Sequence, residues 1–164
     1  MSKNKQIQSN QQSILKRSLL TGFIGGILSG SFSIFMYYFN FSEVTPRSYV
    51  VTNWINNDWA NGWIGDIMSI FIIGLLSIFV ALIYYVLFKK IYAMWLGAFY
   101  GVLIWFFIFV IVQPLYSNME KVTNLSQDTI ISTLCLFLLY GIFIGYSISY
   151  DYFDTIILED EGSQ

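Results

Sequence analysis

Few side chains in this sequence could do acid–base, nucleophilic or metal chemistry, and their spacing gathers none of them into a constellation. There is no histidine among the 164 residues, which removes the commonest general base and the commonest metal ligand. The single cysteine, Cys135, lies inside a long apolar run. A thiolate is disfavoured there, so Cys135 reads as a packing residue, and one cysteine builds no disulfide framework. Asp66 borders the second apolar run. At a bilayer centre a carboxylate costs about 2.5–3.5 kcal/mol and marks an ion or proton path. At the start of a helix it gains about 0.3–1 kcal/mol from the helix dipole instead. With Asn61 and Gly62 just before it, capping is the expected role of Asp66 and transport the alternative. No zinc motif, phosphate loop, Gly-x-Ser-x-Gly elbow or pair of intramembrane carboxylates is present. The expectation is a protein that is not an enzyme and uses no cofactor or metal.

The elements that carry these residues follow from composition. Hydrophobic residues make up 56% of the chain, aromatic ones 20% and charged ones only 11%, with a mean hydropathy of +0.62. A soluble domain carries about 25% charged residues, so a water-soluble globule is excluded, and so is a disordered chain. A net charge of −2 and eight Lys+Arg give no nucleic-acid footprint. A helix crossing a bilayer needs roughly 20 apolar residues. Four segments qualify: 18–39, 67–88, 91–112 and 129–150, none with a charged side chain inside those limits. The fold expected is all-α, a polytopic membrane protein with four transmembrane helices packed as a bundle. The first run is too long for a signal-peptide core and no Ala-x-Ala-like site follows it, so it reads as a retained anchor.

Basic residues set the expected orientation. Lys3, Lys5, Lys16 and Arg17 precede the first span, and Lys89 and Lys90 fill the short turn between spans two and three. Only Arg47 and Lys121 fall in the other two loops. The positive-inside rule then places both termini in the cytoplasm, with Lys16, Arg17, Lys89 and Lys90 as topology anchors. Residues 1–17 are rich in Gln, Asn and Ser and read as a disordered cytoplasmic tail; residues 151–164 read as an acidic, solvated one. The outer loops are 40–66 and 113–128. In the first, Trp54, Trp59 and Trp63 read as interfacial anchors, with a ligand-stacking surface as the alternative. Val50, Val51, Trp54 and Ile55 suit one face of a short interfacial helix after Pro46. In the second, Pro114 ends the third helix, and Ser126 caps the fourth with Asp128 in its first turn. The Asn-x-Ser matches at Asn40 and Asn124 carry no meaning without eukaryotic glycosylation.

Small residues form the best-defined pattern. Ser18, Gly22, Gly26 and Gly30 recur every four residues in span one, beside a second row of Thr21, Gly25, Ser29 and Ser33. Span three repeats the device with Gly97 and Gly101, and span four with Gly141 and Gly145. Lipid provides no hydrophobic drive between helices, so bare backbone faces that allow close approach hold them together. Packing within the bundle is the expected use of these faces, with a seam between copies the alternative.

The stretches TGFIGGILSG, YYFNFSEVTP, KK…MWLGAFYGVLIWFF…QPLY and DTIISTLCLFLLYGIFIGYSISYDY cover most of residues 20–153. In that order they resemble the YqhR family of conserved membrane proteins from spore-forming Gram-positive bacteria. The resemblance implies a bacterial plasma-membrane protein and carries over neither an activity nor catalytic residues. The expected function is therefore a small scaffold, assembly or regulatory subunit acting through helix–helix contacts, with a channel or transporter component for a small solute as the alternative. The partners expected are the lipid bilayer and another membrane protein or a second copy of the chain.

Overall fold

The computed structural model describes the backbone of residues 2–51, 62–89, 91, 93–115 and 122–161, and the side chains of residues 12–155 within those ranges save Tyr49. Trp54, Trp59, Ile55, Lys90 and Lys121 lie outside the described residues. The fold is all-α, and four of its helices are long and apolar enough to cross a membrane. They are α1 (Ser2–Tyr38), α3 (Trp63–Phe88), α4 (Met94–Phe106) with the segment that continues it, and α5 (Gln127–Glu161); a short α2 (Pro46–Val50) lies between the first two.

The first terminal segment is helical rather than the disordered tail expected of it, and the second continues the last membrane helix. Helix α1 is continuous from Ser2, and α5 runs on to Glu161. No glycine or proline interrupts residues 2–21 or 146–161, so each membrane helix propagates at little cost once nucleated. Ile14 and Ser18 are buried there, and Arg17 reaches Asp151 across the bundle at 3.9 Å.

Helix α1 ends in a Schellman turn: Asn40 takes a left-handed φ of 60°, Asn40 N–H donates to Tyr37 C=O and Phe41 N–H to Met36 C=O. Asparagine tolerates that conformation. Helix α2 starts with Pro46 at its first position, where a missing N–H costs nothing. Ser126 caps α5, its hydroxyl accepting from Thr129 N–H at 3.3 Å, with Asp128 in the first turn.

In the packed bundle α1 lies against α3, α4 against α5, and α1 against α5. Helices α3 and α4 are joined by a short turn but touch mainly beside it, where Tyr100 meets Tyr84 at 5.1 Å and Phe88 at 5.9 Å between ring centroids. Tyr100 also donates to Val80 C=O at 2.8 Å. Beyond that clasp the two helices separate. The turn lies at the end of the bundle where α5 leaves it, since Lys89 stands over the rings of Tyr85 and Tyr152. The start of α1 and the end of α5 lie at that end; α2 and the described parts of the α4–α5 connection, Gln113–Leu115 and Val122–Asn124, occupy the opposite, loop end.

Buried hydroxyls are satisfied within the chain, as hydrocarbon surroundings demand. Ser18 donates to Ile14 C=O, Ser69 to Asp66 C=O and Thr133 to Thr129 C=O, at 2.7–2.9 Å.

Candidate functional site

The glycine faces do not form an outward surface. A Cβ at Gly22 would stand 2.6 Å from Ala81 Cβ, and one at Gly26 would stand 2.5 Å from Ser77 Cβ and 2.8 Å from Gly74 Cα. Gly97, Gly101, Gly141 and Gly145 interlock in the same way across α4 and α5, backbone on backbone. Gly30 is different: a Cβ there would find nothing nearer than 3.5 Å, because Gly30 faces a cavity.

That cavity, of about 410 Å³, fills the gap where α3 and α4 part. Ile73, Leu76 and Val80 of α3 face Ile104, Phe107 and Ile108 across it, and Thr45, Pro46 and Val50 close its loop end. Helix α2 is thus a roof rather than a segment lying flat on the lipid surface, and Val51 just after it is 2% exposed. The cavity wall contains an irregularity. From Phe107 to Val112 the chain is π-helical, and Gln113 N–H donates to Ile108 C=O five residues back. A single 3₁₀ turn, Gln113–Leu115, then contains Pro114. Proline lacks the N–H that would bond Val110 C=O, and its ring crowds that carbonyl. The effect of Pro114 therefore reaches back along the helix instead of only ending it. The wider π turn turns Phe107, Ile108 and Phe109 toward the void.

The polar part of the lining is small and consists of hydroxyls. Ser77 donates to Gly22 C=O at 2.5 Å. Its oxygen is bonded to the Tyr140 hydroxyl, which must then be the donor of that pair. Thr133 donates to Thr129 C=O and accepts from Trp105 Nε1–H at 3.1 Å, while Ser29 donates to Gly26 C=O.

Charge is confined to the ends of the bundle. At the loop end Asp66 is buried, and its carboxylate pairs with Arg47 of α2 at 3.5 Å and accepts from Tyr38 Oη at 3.2 Å. The Arg47 guanidinium also sits 5.8 Å from the centre of the Tyr37 ring. Asp66 stands in the first turn of α3 as expected, where the helix dipole favours it, but it makes no side-chain cap bond: the N-cap is Gly62, and the carboxylate is in addition paired with Arg47. Glu43 forms a second tie. Its backbone N–H donates to Thr129 Oγ1 at 3.0 Å and its carboxylate accepts from Ser126 N–H at 3.3 Å, at the positive end of α5. Position in the sequence marks Arg47 only as an outer-loop cation and gives Glu43 no role. An outer-loop arginine together with the acid bordering span two was the available signal for the first. The second depends on a contact 83 residues away, which no local pattern announces.

Trp63 is 70% exposed at the first residue of α3, and Cys135 is exposed on the outside of α5. Lys16 is exposed at the terminal end and Arg17 is paired with Asp151.

Comparison with known proteins agrees with this architecture. The model of the family described as conserved membrane protein YqhR matches residues 1–162. The chain belongs to the YqhR family. It is 37% identical over 152 residues to an uncharacterized protein YqhR of Bacillus subtilis (strain 168), covering 91% of this chain and 85% of the relative. No solved structure matches it. YqhR is described as a membrane-protein family, in keeping with the four apolar helices of this chain, and its description names no activity.

Proposed function

We propose that this YqhR protein is a non-enzymatic component of the bacterial plasma membrane, with both termini in the cytoplasm. It serves as a small scaffold, assembly or regulatory subunit that works through contacts within the bilayer. The observation that carries the reading is the Arg47–Asp66 pair: the carboxylate in the first turn of α3 is closed into an ion pair at the loop end. Between that pair and the Arg17–Asp151 pair at the other end, the described cavity lining offers only neutral hydroxyls. A proton or ion relay through lipid needs an ionisable or strongly coordinating group near the midplane. A rigid bundle whose glycine faces are used internally instead presents a stable outer surface to neighbours.

Cross-linking in living cells with identification of co-purified proteins tests this directly. A reproducible membrane-protein partner, recovered with the wild type and absent from a deletion control, is the expected result. The second reading, a channel or transporter for a small solute, draws on Ser29 and Gly30 of span one facing the cavity. Purified protein in liposomes separates the two readings. Robust solute flux that falls in Asp66→Asn would overturn the scaffold reading.

A further inference from the structure

We propose that α2 is a movable cover over the loop-end mouth of the cavity, latched by the Arg47–Asp66 pair, and that release of the pair opens the cavity to water. The inference does not rest on the scaffold reading, since it concerns how the cavity is closed.

What can move follows from how each part is held. Helix α1 lies on α3, and α4 on α5, through glycines whose backbones meet the opposing chain directly. Displacement there drives backbone into backbone, so the cavity walls are stiff. Helix α2 is held differently. It has five residues, too few to be helical unaided, and no side-chain bond at its N-cap. It packs chiefly on α3, touches α1, and makes no comparable contact with α4 or α5. Thr45, Pro46 and Val50 line the mouth. Displacing α2 therefore uncovers the cavity and leaves both helix pairs in place.

The fastenings divide into an anchor and a latch. Ahead of α2 the chain is fixed twice. Asn40 and Phe41 bond back to the last turn of α1, and Glu43 is tied to Thr129 and Ser126 at the start of α5. Those bonds hold the lead-in and would survive a swing of α2. On α2 itself Arg47 is the single charged residue. Its guanidinium reaches Asp66 at 3.5 Å and lies 5.8 Å from the centre of the Tyr37 ring. Asp66 also accepts from Tyr38, so the far side of the latch is seated on α1 and α3 together. Val51, 2% exposed, is the apolar part of the closure. A half-hydrated ion pair is a firm tie while it lasts, and removal of either charge turns it into a penalty. A small unit fastened in this way opens locally, without unfolding the rest.

The test uses the full-length protein in phosphatidylglycerol nanodiscs, in a Cys135→Ser background that leaves one reporter thiol. Ser33→Cys puts the thiol on the cavity wall, and Phe32→Cys, facing outward, is the control. The probe is a charged methanethiosulfonate, which is kept out of lipid by its charge and enters through the mouth. Reaction at Ser33→Cys should be slow when the latch is intact. It should be at least about tenfold faster with Asp66→Asn or Arg47→Ala, and within about threefold of the intact rate with Arg47→Lys, which keeps the charge. Phe32→Cys should react at one rate throughout. Hydrogen–deuterium exchange read by mass spectrometry is the second measurement. Both opening variants should speed exchange at residues 46–51 and leave residues 70–80 unchanged. If neither variant folds, the wild type decides, because exchange of 46–51 by local opening is unaltered by low denaturant. The proposal is overturned by reaction at Ser33→Cys that is already fast with the pair intact or unaltered by its loss. It is overturned equally if 46–51 exchange only with global unfolding, or if the variants speed Phe32→Cys and residues 70–80 as well, since the pair would then hold the bundle and not a cover.

Discussion

Asp66 shows how one contact redirects the meaning of a residue. A carboxylate in the first turn of a helix is stabilised by the dipole without any partner, and position alone supports that role. The structure gives Asp66 a stronger partner in Arg47, whose side chain is 20% exposed against 10% for the aspartate. At that degree of burial neither charge is well hydrated, so removing one leaves the other uncompensated. Arg47→Ala should cost about 1–3 kcal/mol, and so should Asp66→Asn. The double variant should cost clearly less than the two losses added together, because the second substitution removes the orphan that the first creates. Thermal unfolding of the purified protein in detergent, run as a double-mutant cycle, measures that coupling. Strict additivity would mean that the pair contributes nothing and that α2 is held by Pro46, Val50 and Val51 alone.

At the scale of elements, the glycines of α1 divide by what they face rather than by their place in the repeat. Gly26 meets the Ser77 side chain and the backbone of Gly74, whereas Gly30 looks into the cavity. Gly26→Ala should therefore destabilise the bundle by about 1–3 kcal/mol, since the opposing atoms are largely backbone and cannot give way. Gly30→Ala should be neutral or stabilising by up to about 1 kcal/mol, because alanine is the better helix former and a Cβ fits. Equilibrium unfolding in mixed micelles compares the two; equal losses would contradict the packing described. A four-residue repeat of small residues was plain in the sequence, as were the four apolar runs, because both are local patterns. Which helix each glycine face meets was not legible, since that depends on how α1, α3, α4 and α5 are arranged around one another. The π turn was hidden for a related reason. Pro114 announces a disturbance, but whether the helix ends, kinks or widens is settled by what it packs on. Pro114→Ala supplies the missing N–H, so residues 107–112 should return to bonds four residues back. Phe107 and Ile108 then rotate relative to the void. A structure of that variant, or a change in labelling of a cysteine placed at Ile108, reads the difference; an unaltered π turn would place its cause in the cavity walls.

Over the whole molecule, two tight pairs, α1 with α3 and α4 with α5, join along α1 and α5 and are left apart on the side where α3 and α4 separate. Contacts at the terminal end tie three chain segments to one face: Arg17 pairs with Asp151, and Lys89 stands over Tyr85 and Tyr152. Whichever side of the membrane holds the N-terminus must then also hold the α3–α4 turn and the start of the C-terminal extension. Glu43, tied to Thr129 and Ser126, marks the other side together with α2. The orientation proposed above, with the terminal end in the cytoplasm, draws on the basic residues gathered at that end. Cys135→Ser gives a cysteine-free chain on which single cysteines report the arrangement. In intact protoplasts a membrane-impermeant maleimide should label a cysteine at Glu43 or Thr123, and should reach one at Asp154 only after lysis. Because the fold couples these positions, the pattern has to be all of one kind. A full reversal would overturn the orientation and leave the packing intact. Labelling of both ends from one side within a single population would contradict the four-crossing bundle itself.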